Sequence, residues 1–201
     1  LRRSLARAQL VQADLGASRD DGEGLVELVS QARGHLSNDD DSTGMGEFIA
    51  VPPGILFYIV GEMLDALDYA HRALSPTTGT SLGIVHRDIS PNNIMISFEG
   101  EVKLIDFGLA LSSLKNQRTE PTLLVGKVAY MAPEQATGDP VDARADQFAA
   151  AVVLYELLTG EDFYAGIENK QAIWTRAALG DHRPPSYLRI DPALRTILDR
   201  A

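Results

Sequence analysis

The sequence predicts an α+β chain that is mostly helical and carries one short β-hairpin. Several stretches repeat apolar residues at three- and four-residue spacing, the signature of amphipathic helices. Only one place, residues 94–105, offers two β-rich runs joined by a turn. Hydrophobic residues make up 45% of 201 residues, enough for a real core in one domain or a large part of one.

Composition narrows the function classes. No run of about 20 apolar residues exists, so nothing in this piece is expected to span a membrane, and no signal peptide is expected within it. Cysteine is absent, which excludes disulfides and thiolate metal sites. A formal net charge of -10 argues against non-specific binding to nucleic acid or to an anionic membrane surface. The chain starts at Leu1 and is read as a fragment.

Taken in order, Leu1, Leu5, Ala8, Val11 and Leu15 predict an amphipathic helix over residues 1 to about 14. Gly16, Gly22 and Gly24 with Asp14, Asp20 and Asp21 mark a polar break. Leu25, Leu28, Val29, Ala32 and Leu36 suggest a second short helix, and 38–46 reads as an acidic, solvated loop. Pro52 and Pro53 suit a first helical turn. From there Ile55, Leu56, Ile59, Met63, Leu67, Ala70 and Leu74 form an apolar stripe down to Ser75-Pro76. His71, near that helix's end, is given no role. Residues 76–83 read as a long polar connection. Ile94-Met95-Ile96 and Val102-Lys103-Leu104-Ile105 read as strands with Glu99-Gly100 as the turn. Such a hairpin brings Asn93 and Asp106, at its two open ends, close together. A helical turn is expected up to Gly138. Asp142 is a plausible N-cap for a helix over 143–159 stopped by Gly160, apolar almost all round and therefore central and buried. Asp146 within it needs partners. Residues 167–179 read as a further helix with Trp174, and Asp191-Pro192 opens a last helix in which the chain ends.

Three signatures then stand in one order: His86-Arg87-Asp88-Ile89-Ser90-Pro91-Asn92-Asn93, Asp106-Phe107-Gly108, and Ala132-Pro133-Glu134. Together they resemble the C-terminal lobe of a eukaryotic-type serine/threonine protein kinase, in the form found in bacteria. The resemblance implies that residues 1–201 are a partial kinase domain, with an insertion at about 16–50. It implies that Asp88 accepts the proton of an attacking hydroxyl. It implies that Asn93 and Asp106 bind Mg2+ (or Mn2+) and through it the phosphates of ATP. The implied partner is a protein carrying a Ser or Thr hydroxyl, with no nucleic acid. The implied setting is the cytoplasm, with the parent chain free or held at a membrane by a segment outside this piece. Asp146 is expected to anchor the backbone near His86 and Arg87. Residues 109–131 correspond to the activation segment, and Thr119 or Thr122, once phosphorylated, is expected to pair with Arg87.

The sequence also departs from the pattern. The usual Lys two residues after the catalytic Asp is Ser90 here, and the usual Thr after Gly126 is Lys127. The expectation is that Lys127 supplies across the cleft the charge that Ser90 lacks. Ala151 stands where Gly is usual. The Gly-rich loop, the strand lysine and its glutamate partner would precede Leu1, so the piece alone is not expected to phosphorylate efficiently. The rival reading is a pseudokinase or scaffold that binds partners without phosphotransfer. A small-molecule kinase of similar fold is disfavoured by the segment running from Asp-Phe-Gly to Ala-Pro-Glu.

Overall fold

A computed structural model describes residues 52–97, 100–107, 128–167 and 169–200. The helices expected over 1–14 and 25–36, the insertion at 16–50 and the phosphorylatable segment lie outside them. The described residues are mostly helical, with one two-stranded antiparallel sheet.

Helix α1, Pro53–His71, starts where Pro52-Pro53 set φ for a first turn. Its buried face, with Ile55, Ile59, Met63 and Leu67, packs on helix α3, Ala143–Thr159, through Ala149, Ala150, Val153, Leu154 and Leu157. Each large apolar side chain fully buried there contributes about 1.5–3 kcal/mol. The apolar stripe was expected to run on to Leu74, but the helix stops three residues earlier. Leu74 is exposed and pairs instead with Ser81 in an isolated antiparallel bridge that closes the polar connection.

The expected hairpin forms. Strand β1, Ile94–Ile96, pairs with strand β2, Val102–Leu104, so that Ile94 faces Leu104 and Ile96 faces Val102. Ile94 and Ile96 drop into the α1–α3 core. Tyr58 on α1 donates a buried hydrogen bond of 3.0 Å to the Gly100 carbonyl and ties the turn of the hairpin to the helix.

Helix α3 runs between the two boundaries read from sequence. Asp142 caps its start by accepting from the Arg144 N–H, and Gly160 ends it at φ 68°. Two acids on α3 are almost wholly buried, Asp146 and Glu156. Such groups persist only with partners. Glu156 accepts from the Tyr130 hydroxyl at 2.6 Å and from the Phe163 N–H at 3.1 Å. One helix therefore holds both the loop near Asp146 and the segment carrying Tyr130.

A second apolar cluster, Val128, Ala136, Tyr164 and Ala177, joins helix α2, Pro133–Thr137, to helix α4, Lys170–Leu179. Helix α4 starts three residues after the expected 167, because Asn169 caps it by accepting from the Gln171 N–H. Gly180, at φ 66°, ends it against Pro133, where a Cβ would lie 2.8 Å from the proline ring. Close approach and backbone conformation both demand glycine there. Tyr164 stacks on His182 with ring centroids 4.7 Å apart, and His182 bonds the Phe163 carbonyl at 2.8 Å. Burial, with help from nearby Asp181, pushes the Tyr164 hydroxyl up to about 12. Burial likewise holds His182 below the ordinary imidazole range. A short 3-10 turn at Pro185–Arg189 precedes helix α5, Pro192–Leu198, capped by Asp191. Helix α5 ends at Leu198 rather than running on to Ala201. Among the described residues, no helix is long and apolar enough to cross a membrane.

Candidate active site

Residues 83–89 form neither helix nor strand, so their buried polar groups must find partners elsewhere. Asp146, 1% exposed, supplies partners for two of the backbone N–H groups. Its carboxylate accepts from the His86 N–H at 2.8 Å and the Arg87 N–H at 2.7 Å. The anchoring role expected of Asp146 is what the geometry provides. His71 adds a third bond: its Nε2 lies 2.7 Å from Asp146 Oδ2 and, facing a carboxylate, must donate. The role withheld from His71 at the sequence level is thus corrected. A helix-end histidine looks exposed on paper, but this one turns inward onto a buried acid 75 residues away.

His86 is fully buried and acts as a brace. The Asp88 N–H donates to its Nδ1 at 3.3 Å, which leaves Nε2 to carry the proton and donate to the Ile105 carbonyl at 2.9 Å. The Phe107 ring sits against it, centroids 4.5 Å apart. The loop is thereby fastened to the far end of the hairpin.

Pro91–Asn93 forms a 3-10 turn that aims Asn93 back at the loop. Asn93 Nδ2 donates to the Asp88 carbonyl at 2.6 Å and to Asp88 Oδ2 at 3.1 Å. With the amide nitrogen so used, Asn93 Oδ1 remains as an acceptor. The Ile105 N–H donates to the Asn93 carbonyl at 3.0 Å, which extends the strand ladder to the residue before Asp106. Asp106 is exposed, and among the described residues no hydrogen bond or ion pair occupies its carboxylate. The donor set therefore consists of an amide oxygen and a free carboxylate, hard oxygens of the kind that suit a magnesium ion.

Arg87 and Asp106 are the two non-glycine residues with positive φ among those described, at 66° and 63°. Such conformations are concentrated at functional sites, where the surroundings enforce them. Among the described residues, Arg87 Nε is buried without a hydrogen-bond partner. Ser90, in the place of the usual lysine, is 5% exposed. Lys127, Thr119 and Thr122 lie outside the described residues.

Gln135, which sequence reading passed over, links two parts of the site. Its Oε1 accepts from the Ala132 N–H at 3.0 Å, and its Nε2 donates to the Arg87 carbonyl at 2.9 Å. A Gln three residues after an N-cap position signals a bond back to the cap N–H, but nothing in the sequence announces the second bond, which spans 48 residues. Glu134 forms no ion pair among the described residues.

The chain can now be set beside known proteins. Residues 47–184 match the family described as "Protein kinase domain". The tyrosine-protein kinase MasK of Myxococcus xanthus is 39% identical over 141 residues, 70% of this chain and 22% of that protein. The probable serine/threonine-protein kinase PknB of Bifidobacterium longum is 46% identical over 106 residues, 52% of this chain and 14% of that protein. The serine/threonine-protein kinase PknB of Mycolicibacterium smegmatis is 36% identical over 155 residues, 75% of this chain and 23% of that protein. The chain thus spans less than a quarter of the length of these curated relatives. A family match across more than half the chain, with bacterial relatives at these identities, places it in the protein kinase domain family, in its bacterial form.

Proposed function

We propose that the full-length protein is an ATP-dependent protein kinase acting on Ser/Thr hydroxyls, and that this chain supplies the C-terminal lobe of its catalytic domain. The observation that carries this reading is the pair of hydrogen bonds from Asn93 Nδ2 to the Asp88 carbonyl and carboxylate, which ties the proposed base to the proposed metal ligand. Asp106 leaves the same hairpin one residue beyond the ladder.

In this mechanism Asp88 orients the attacking hydroxyl and takes its proton as the new O–P bond forms and the bond to the ADP oxygen breaks. Asn93 Oδ1 and the Asp106 carboxylate would hold Mg2+ (or Mn2+), which supplies neutralisation of the phosphate charge when bound. His86, Asp146 and Asn93 keep Asp88 from drifting, since positioning contributes most of the catalysis in phosphoryl transfer. Arg87 Nε, without a partner among the described residues, supports pairing of that side chain with a phosphate on Thr119 or Thr122. Its catalytic domain acts on the cytoplasmic side, with the parent chain free or held at a membrane by a segment outside this piece, and on a protein rather than a nucleic-acid substrate.

Incubated with ATP, Mg2+ and a protein substrate, the full-length protein should yield phosphoserine or phosphothreonine, while residues 1–201 alone should yield little. Phosphotyrosine as the main product would move the assignment to tyrosine, the activity in MasK's name. Magnesium-dependent ATP binding without any transfer would instead favour a scaffold, the reading to which Ser90 in place of lysine lends weight.

Lys127 is proposed to supply the cation missing at position 90. A preorganised donor at the transferring group is worth about 3–4 kcal/mol. Full-length Lys127→Ala should therefore lose about 10^2–10^3-fold in kcat, and Ser90→Lys in that background should restore part of it. Unchanged turnover in Lys127→Ala would remove the assignment.

A further inference from the structure

The peptide unit that delivers Asp88 to the site, Arg87 C=O to Asp88 N–H, is held on both edges. On one edge the Asp88 N–H donates to the buried His86 ring, and on the other the Arg87 carbonyl accepts from Gln135 Nε2. The preceding N–H, that of Arg87, is held by Asp146. Arg87 itself sits at φ 66°, a conformation that a non-glycine residue keeps only while its surroundings over-determine it.

Two of these three restraints belong to fixed parts of the fold. His86 is fastened to the hairpin and Asp146 is embedded in the core helix α3. Gln135 differs. It stands in the five-residue helix α2, and its other polar atom takes the N–H of Ala132, the residue that ends the Val128–Met131 turn. A single amide group thus bonds the exit of that segment with its oxygen and the catalytic loop with its nitrogen. A shift of Ala132 relative to α3 must either break one bond or turn the Arg87–Asp88 peptide.

We propose that Gln135 is a positioning residue that couples the placement of the segment ending at Ala132 to the aim of the Asp88 carboxylate. The proposal rests on the kinase reading for its catalytic consequence, but not for its structural one. Displacements of about 1 Å at a reacting group can cost up to 10^2-fold in rate. A loosened peptide at Arg87 should therefore appear in kcat and not in ATP binding.

Two substitutions in the full-length protein separate the two bonds. Gln135→Ala removes both, so it should lower the melting temperature of the domain and reduce kcat about tenfold or more. Gln135→Glu at pH 8 keeps an acceptor for the Ala132 N–H but sets an oxygen against the Arg87 carbonyl. It should lower kcat at least as much as Gln135→Ala does and leave the KM for ATP within about twofold. Hydrogen–deuterium exchange should rise in the peptide covering 84–93 for both variants. It should rise in 133–138 for Gln135→Ala alone. Full kcat in Gln135→Glu would overturn the proposal. If the parent protein itself transfers no phosphate, the kinase reading fails separately. The exchange pattern then decides: faster exchange at 84–93 in Gln135→Glu supports the coupling, and unchanged exchange there overturns it.

Discussion

Phosphotransfer by the full-length protein should fall about 10^2–10^4-fold in Asp88→Asn, the usual contribution of a positioned general base. The loss should sit in kcat, with the fold intact. Asp88 is half-buried, and an Asn at this position still offers an oxygen to Asn93 Nδ2 where the Asp88 carboxylate now accepts at 3.1 Å. Its backbone bonds, to the His86 ring and from Asn93 to the carbonyl, do not involve the side chain. Stability should therefore stay within about 0.5 kcal/mol of the parent, as for other substitutions that neither bury an unpaired group nor open a cavity. Steady-state kinetics on a phosphorylatable protein together with a denaturant midpoint would check both halves. Activity within tenfold of the parent would show that Asp88 is not the base.

Asp146→Asn should do the opposite, damaging structure first and activity as a consequence. The residue is 1% exposed and its carboxylate takes three donors: the His86 N–H, the Arg87 N–H and His71. An amide of the same shape offers one acceptor and turns an N–H toward groups that are themselves donors. Each buried donor left without a partner costs about 1–3 kcal/mol, so the variant should lose about 2–5 kcal/mol. That is a large share of the 5–15 kcal/mol by which domains of this kind are stable. Chemical denaturation of the full-length protein would measure the shift. Hydrogen exchange at residues 84–93 would show whether the catalytic loop is the part set loose. A loss below about 0.5 kcal/mol would mean that the three bonds add nothing over water.

The two variants mark the boundary between what the sequence made legible and what it did not. Helix α3 was readable to the residue, because a capping Asp142, an apolar interior and a terminal Gly160 all act within one turn of their own position. The hairpin was readable for the same reason, its last strand ending at Leu104 rather than Ile105. So was the contact of Asp146 with the loop, though only through the family resemblance. Long-range partners chosen by packing were not readable. Nothing local to His71 says that it meets an acid 75 residues on, and nothing local to Gln135 says that its nitrogen reaches Arg87. The start of α4 was misplaced because Asn169 wins as a cap over the apolar Ile167 before it. The shorter α1 and α5 reflect ends where the apolar pattern outlasts the backbone bonds.

The left-handed backbone at Arg87 has a consequence for anyone who would improve this protein. An L-residue forced into that region carries roughly 1–2 kcal/mol, whereas a glycine placed there forfeits only about 0.5–1 kcal/mol in backbone freedom. Laboratory selection for heat resistance alone would drift toward glycine at this position, and would discard the guanidinium with it. Robustness and the proposed pairing of Arg87 with a phosphate are in competition at one residue, and a screen that rewards only the first would return a sturdier protein without that pairing.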